Sequence, residues 1–199
     1  MSSAPTGAEF ENLIRSIHEH GKLRMTEVAA GRTPLARHVL PSRISTAKLT
    51  DLPAEVREAF DVFGTGNQEL ATENMGVVIP AVQQRLDGDR TRSDLVDLLL
   101  RQRKETCDKY NAFADALVDE MVEIGEAHPD DDDLVDGMLA AWDKASDFFE
   151  SRWTDVSDFY RKMIKNMSEG RDPVSGNQVS SFFQNLENQI QDWRANNPG

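Results

Sequence analysis

One long segment, residues 132–167, constrains the fold of this chain more than any other part of it. Two sets of positions within it, each repeating every seven residues and offset by four, carry apolar or aromatic residues at nine of ten places. These ten residues are Val135, Leu139, Trp142, Ser146, Phe149, Trp153, Val156, Tyr160, Met163 and Met167. A repeat of this length is typical of a helix that buries a narrow stripe against another helix. We therefore predict a helix over the whole segment, with Asp143, Asp147 and Glu150 on its solvated side.

A second long helix is predicted immediately before this segment. Thr91 provides a capping side chain at its start, and the same seven-residue repeat continues from Val96 to Ile124 with Arg103 as the one residue that does not fit. Residues 125–131 contain His-Pro and interrupt the helix. Because two long helices are joined by so short a connection, we predict an antiparallel hairpin.

Glycine and proline divide much of the remaining chain into shorter predicted helices. An amphipathic helix over residues 8–20 is expected to stop at Gly21. A helix is predicted to start within residues 51–55, where a capping side chain is followed by Pro53 in the first turn, and to end in the Gly-Thr-Gly-Asn sequence at 64–67. The helix after it is expected to bend or break near Pro80, because the proline ring clashes with the preceding turn.

A last helix is predicted to run to about Ala195, and no segment shows a convincing alternation with a period of two. The predicted fold class is therefore all-α, an elongated helical bundle built on a long antiparallel coiled-coil hairpin plus a C-terminal helix. Residues 1–50 are predicted to be a basic, partly disordered N-terminal arm with a short amphipathic helix, and residues 51–199 the helical bundle. The boundary is placed by the prolines and scattered arginines of residues 31–53, which are typical of an extended connection.

Charge is distributed unevenly along the chain, whose formal net charge is −13. Residues 1–50 carry a net charge of +3, whereas residues 115–158 alone carry −13. An acidic surface of this density repels phosphate backbones, so we expect no nucleic-acid partner. The basic arm could bind an anionic partner or fold back on the acidic body, and we favour the second interpretation because its cations are scattered.

The sequence lacks several signals that would assign a compartment. No apolar run approaches 18 residues, so no integral membrane segment is expected. The N-terminus has neither a basic segment nor an apolar core of the kind found in cleaved secretory signals. We therefore expect a cytoplasmic protein, or one that is cytoplasmic before export and is secreted without a cleaved signal peptide. The single Cys107 excludes an internal disulfide and a multi-cysteine zinc site.

No catalytic, cofactor-binding or metal-binding set of residues is recognisable. The acidic residues 130–133 fit a helix N-terminus better than a calcium loop, because Leu134 occupies a position where a carboxylate is required. His18 and His20 point to different helix faces, and Cys107 lies within a buried stripe. Aromatic residues at helical spacing are more typical of a core than of a ligand cavity. We therefore predict a protein that is not an enzyme, has no cofactor and does not bind a small molecule.

A family resemblance is carried by short segments: LPAEV at 52–56, QRK at 102–104 followed by YN at 110–111, and DFY at 158–160 leading into MSEGRD at 167–172. These segments are similar to parts of the hydrophilic needle-tip and filament (translocator) proteins of type III secretion systems. The resemblance implies an antiparallel coiled coil and export without a cleaved signal. It also implies an N-terminal arm that carries the export signal or blocks premature assembly, although the chain lacks the domain inserted between the coiled-coil arms of tip proteins.

The resemblance further implies that the last helix contacts the needle subunit or sister copies. The partner-binding residues would then be Phe183, Leu186, Ile190 and Trp193. We predict a non-enzymatic helical interaction or assembly protein whose partners are other proteins or further copies of the same chain, in its sharpest form an exported needle-tip or filament component. Two alternatives stay open: a cytoplasmic adaptor, chaperone or regulator of helical-bundle type, and a bundle that binds a small apolar ligand.

Overall fold

The computed structural model describes residues 7–37, 40, 44 and 52–196. These residues form long α-helices and no β-strand, so the all-α prediction is confirmed. The helices are α1 (Gly7–Ala29), α2 (Ala54–Leu86), α3 (Arg92–Ala127), α4 (Asp132–Ser168) and α5 (Gly176–Asn196). None of the helices among the described residues is long and apolar enough to cross a membrane.

Helices α2, α3 and α4 surround a shared core. The Phe63 ring of α2 lies 5.9 Å from the Tyr110 ring of α3 and 5.3 Å from the Phe149 ring of α4, measured between centroids. Helix α5 packs against α2 and α4, where Trp193 lies 4.8 Å from Phe149. Helix α1 packs against α3 and α4. Two of the three grooves between the central helices are thus filled by the outer helices α1 and α5.

The contacts between α3 and α4 are compatible with the predicted antiparallel hairpin. At one end, Arg92 of α3 donates to the carbonyl of Gly170, which follows α4. At the other end, a side-chain carbon on Gly125 would lie 3.7 Å from Met138, near the start of α4. The predicted capping residue Thr91 accepts a hydrogen bond from the Asp94 amide, which confirms the start of α3.

The predicted buried stripe of α4 is confirmed in full, since all ten residues are buried. The assignment of Glu150 to the solvated side is wrong, because only 7% of its surface is exposed. In α3 the predicted repeat places Leu100, four residues after Val96, on the buried stripe. This is wrong, because Leu100 is 41% exposed, and Leu98 and Leu99 are buried instead. The reason is that α3 packs against α1 and α2 as well as α4, so its buried face is wider than one seam.

Helix α2 is continuous where a helix end was predicted at 64–67, so that prediction is wrong. Gly64 and Gly66 do not form a turn. A side-chain carbon on Gly64 would lie 3.1 Å from Trp193 of α5, and one on Gly66 would lie 3.3 Å from the Phe113 ring of α3. These glycines therefore allow neighbouring helices to approach closely.

Of the bend or break predicted near Pro80, the break is wrong, because α2 runs through this residue to Leu86. The bend stays a prediction. Proline lacks the amide that would bond to the carbonyl four residues earlier, here that of Gly76. Both residues are solvent-exposed, so water can hydrate that carbonyl and the helix can continue.

Two buried asparagines, seven residues apart on α2, connect this helix to α4. Trp153 donates to the Asn67 Oδ1 at 2.9 Å, and Tyr160 donates to the Asn74 Oδ1 at 2.8 Å. The two asparagine amides donate in turn to carbonyls within α2, at 2.9 Å each. Because the pairs share one spacing, they hold α2 and α4 in a single register.

About half of the extended connection predicted between residues 31 and 53 lies outside the described residues. The division into an N-terminal arm and a bundle therefore stays a prediction. Of the arm, residues 7–29 form α1, and the predicted stop at Gly21 is wrong because the helix continues to Ala29. Gly21 serves the contact with α4 that is described next.

Candidate functional site

A group of buried polar and charged side chains lies where the N-terminal segment meets α3 and α4. Arg24 of α1 and Glu150 of α4 are 5% and 7% exposed, and His18 is 5% exposed. Arg37 and Asp115 join them from the solvent side with partly buried side chains. We call this set the α1 docking site.

Glu150 is the centre of the α1 docking site. Its Oε1 lies 2.5 Å from Arg24 Nη2, and its Oε2 lies 2.7 Å from Arg37 Nη1. Arg37 also donates to Ser146 Oγ at 3.1 Å. One carboxylate is therefore shared between two guanidinium groups, both of which belong to the N-terminal segment.

Burial raises the pKa of Glu150, and the two arginines oppose that shift. A carboxylate that is removed from water in this way is stable as an anion only while its cations stay in place. The charge on Glu150 is thus coupled to the position of α1.

Helical spacing explains how these groups come together. Asp143, Ser146 and Glu150 lie three, four and seven residues apart, so they share one face of α4. Gly21 and Arg24 share a face of α1 in the same way. A side-chain carbon on Gly21 would lie only 3.3 Å from Glu150 Oε1, so glycine here allows α1 to approach the carboxylate.

A second set of polar and charged contacts joins α1 to α3. His18 Nε2 lies 2.5 Å from Asp115 Oδ1, Lys22 Nζ lies 2.7 Å from the same oxygen, and Arg15 bonds to Asp119 at 2.9 Å. Burial alone would raise the pKa of Asp115, but hydrogen bonds from Lys22 and His18 outweigh it and lower that pKa. Basic residues of the N-terminal segment therefore contact the acidic body, which is the arrangement favoured from the charge distribution.

The C-terminus of α1 is held by polar side chains of α3 and α4. Arg103 Nε donates to the Ala29 carbonyl at 3.0 Å, and Ser157 Oγ donates to the Val28 carbonyl at 2.9 Å. The last carbonyls of a helix have no partners within the helix, so these bonds stabilise its end. Arg103 was the residue that did not fit the repeat of α3, and Ser146 was the one polar member of the repeat of α4. Both contact the N-terminal segment.

A small cavity adjoins Glu150. Its volume is about 10 Å³, which corresponds to one water molecule. Tyr110 and Trp142 line it. The atoms Tyr110 Oη and Trp142 Nε1 are buried without a hydrogen-bond partner among the described residues. A cavity of this size holds no more than about one water molecule, and the contacts of the α1 docking site hold α1 against α3 and α4.

The residues predicted to bind a partner through α5 lie inside the bundle. Phe183, Leu186 and Ile190 are buried, and Trp193 is partly buried against Phe149. They satisfy contacts within one chain in this arrangement. A partner-binding role for them stays a prediction.

The other residues considered from the sequence have structural surroundings. Burial raises the pKa of Cys107 to about 12, so its thiol is protonated at neutral pH. His20 bonds to the Ala36 carbonyl at 2.9 Å, and Asp131 caps α4 by accepting from the Leu134 amide at 3.0 Å. Within the described part of the chain, no three His, Cys, Asp or Glu residues are placed to hold a metal ion.

Comparisons of the chain with protein-family models, curated proteins and solved structures find no significant match. The fold and the α1 docking site therefore define the class of protein by themselves. It is an all-α bundle in which an N-terminal helix is held over a groove of the body by buried apolar residues and by ion pairs, of which Arg24–Glu150 is buried.

Proposed function

We propose that this protein is a non-enzymatic helical interaction or assembly protein in which α1 covers the surface used for assembly. The observation that supports this proposal most strongly is the sharing of Glu150 between Arg24 and Arg37. Buried ion pairs often add little net stability, because the cost of removing two charges from water offsets their attraction. A helix held in part by such groups can separate from the body at a lower cost than one held by apolar contacts alone.

The groove under α1 has the chemistry of a protein-binding surface. Trp142 lies on it, with its ring 5.8 Å from that of His18. Asp115, Asp119 and Glu150 border it. A groove with an aromatic residue inside it and carboxylates along its edges is suited to bind an amphipathic helix that carries basic residues. Helix α1 carries such residues on the face that contacts the body. A sister copy or another protein that supplies such a helix can take the place of α1.

The first experiment compares the mass in solution of the full chain with that of a chain lacking residues 1–50, over a hundredfold range of concentration. We expect the shortened chain to form larger species and the full chain to stay small. Addition of a synthetic peptide of residues 7–29 should return the shortened chain to its small form. A shortened chain that is folded by circular dichroism and yet monomeric throughout would contradict the proposal.

A full-length variant tests the same idea without truncation. Arg24→Gln combined with Arg37→Gln removes both partners of Glu150 and should increase self-association. The matched control is Arg57→Gln combined with Arg101→Gln, because these arginines are exposed on α2 and α3. Equal association of the two variants would contradict a role for the α1 docking site.

The finer proposal, an exported needle-tip or filament component, rests on the short sequence similarities described above. Under that proposal the N-terminal segment would block assembly before export, which agrees with the position of α1 over a groove. The cytoplasmic adaptor, chaperone or regulator would use the same groove with a different partner. Secretion of the full chain by cells with and without a type III apparatus distinguishes these two forms of the proposal.

A further inference from the structure

A second groove, between the first half of α2 and the second half of α3, has a volume of about 380 Å³. Its apolar lining comprises Ala59, Val62, Phe63, Phe113, Ala116 and Leu117. Val62 is 71% exposed, the largest exposed fraction among the large apolar side chains of the described residues. A volume of this size accommodates several apolar side chains of a ligand. We call it the α2–α3 groove.

Carboxylates border the α2–α3 groove on both helices. Glu55 and Glu58 stand on the α2 side, and Glu120 stands on the α3 side. Glu55 lies 3.3 Å from His128, whereas Glu58 and Glu120 form no ion pair with the part of the chain that the structure describes. Among the described residues no lysine or arginine lines the groove, and α3 from residue 112 to its end carries five acidic residues and no basic one. The electrostatic potential at the groove is therefore negative.

The rest of the bundle indicates what such a groove binds. Of the three grooves between α2, α3 and α4, α1 fills one and α5 fills another, while no helix of the described residues fills the α2–α3 groove. Both filled grooves hold an amphipathic helix. In α1, moreover, Arg15 and Lys22 reach carboxylates of the same helix α3 that borders the open groove.

We propose that the α2–α3 groove binds an amphipathic helix of a partner protein that carries lysine or arginine beside its apolar stripe. Apolar side chains of that helix lie on Phe63, Phe113 and Val62, and its cations pair with Glu58 and Glu120. This inference goes beyond the proposed function, because the surface is a different one and stays accessible while α1 is in place.

The test uses the full chain and a designed helical peptide of about 18 residues, five turns long, as the probe. Leucine occupies positions i, i+3, i+4 and i+7 of the probe, and lysine flanks the leucines. A second peptide has glutamate in place of each lysine. We expect fluorescence anisotropy to show binding of the lysine peptide, at least tenfold weaker binding of the glutamate peptide, and weakening of the first by salt.

Variants of the chain locate the binding. Val62→Ser should weaken binding of the lysine peptide about fivefold, as expected for loss of one apolar contact. Glu58→Gln combined with Glu120→Gln should weaken binding about tenfold, as expected for loss of two charges beside the groove. The matched controls are Leu100→Ser and Glu105→Gln, exposed residues of α3 that do not line the groove, and they should leave binding unchanged.

Several outcomes would overturn this inference. They are absence of binding, equal binding of both peptides, and equal weakening by the groove variants and their controls. In a separate measurement, the chain is mixed with a small lipophilic cation such as dodecyltrimethylammonium below its micellar concentration. Binding of this cation without binding of the lysine peptide would show that the groove takes a small molecule and not a helix. Dimerisation that is abolished by Val62→Ser, and that the lysine peptide does not inhibit, would show that the groove binds a second copy of the chain and not a partner helix.

Discussion

Helix α4 has buried polar groups on two sides, and the two sides are built differently. Toward α2, Trp153 and Tyr160 donate to Asn67 and Asn74, and every group in these pairs is neutral. Toward α1, the anion of Glu150 is shared between two arginines. Burial raises the pKa of Tyr160 far above its ordinary value, so the α2 side does not titrate near neutral pH.

The difference separates a permanent contact from one that can be broken. Neutral buried hydrogen bonds with matched partners fix register and do not depend on salt or pH. The stability that ion pairs contribute depends on both salt and pH. Removal of one partner of a buried pair destabilises the folded protein strongly. The α2–α4 side therefore defines the bundle, and the α1 side is the one suited to regulation. Four changes test this comparison.

The largest effect is expected for Glu150→Gln, which leaves Arg24 buried without a carboxylate. We expect a loss of about 3–4 kcal/mol in the free energy of unfolding, measured with urea, because an unpaired buried charge is costly. Amide hydrogen exchange should increase most in α1. The control is Asp147→Asn, whose side chain is 59% exposed and lies 3.3 Å from Arg37, and which should cost less than about 1 kcal/mol. Equal losses would remove the distinction between the two carboxylates.

Asn74→Ala tests the neutral side and is expected to cost about 2–3 kcal/mol, because it opens a cavity and leaves the Tyr160 hydroxyl unpaired. Unlike the effect of Glu150→Gln, this loss should not change with salt or between about pH 5 and 8. Thr72→Ala, at an exposed position of the same helix, should cost less than about 0.5 kcal/mol. A strong salt dependence for Asn74→Ala would show that the two sides of α4 do not differ as described.

Gly125→Ala tests the apolar end of the α1 contact. The added carbon would lie 2.9 Å from the Phe10 ring, so α1 must shift, at a cost of about 1–2 kcal/mol. Gly76→Ala is the control, since no atom of the described residues lies within 4 Å of an added carbon there, and it should stabilise α2 by about 0.5–1 kcal/mol. Destabilisation by both would indicate an effect of helix geometry rather than of the α1 contact.

The smallest effect concerns pH, because the Asp115 side chain is 46% exposed. Its lowered pKa means that the carboxylate stabilises the folded protein above the ordinary aspartate pKa, and that this contribution is lost as pH falls through the lowered value. The contribution of Glu150 to stability changes with pH in the opposite direction. Because its pKa is raised in the folded state, the folded protein binds this proton at a higher pH than the unfolded chain does. Both chains compared below retain Glu150.

The measurement is the free energy of unfolding of the original chain and of Asp115→Asn, by urea, from about pH 5 to pH 2. The advantage of the original chain should shrink as the pH falls. An advantage that stays constant would mean that the bonds from Lys22 and His18 do not depend on the charge of Asp115.

Much of the fold was predictable because a helix that is buried on one face carries apolar residues that recur with the helical period. The ten buried residues of α4 and the cap at Thr91 follow from that local rule. The errors at 64–67 and Gly21 share one cause, since glycine is favoured both in turns and where helices approach closely, and only the neighbouring helix distinguishes these uses. Arg103 and Ser146 were visible as residues that do not fit the repeat, but nothing local indicated which segment they contact.

The sequence by itself determined the all-α fold class, which face of α4 is apolar and where the acidic charge lies, because these properties depend on residues a few positions apart. Only the tertiary structure decided that Glu150 is buried, since its partners Arg24 and Arg37 are 126 and 113 residues away in the chain. It also decided which grooves of the bundle are filled. The local sequence around a glutamate on a helix does not distinguish a side chain that faces water from one that faces a guanidinium group. Glu150 is buried only because α1 lies against α4.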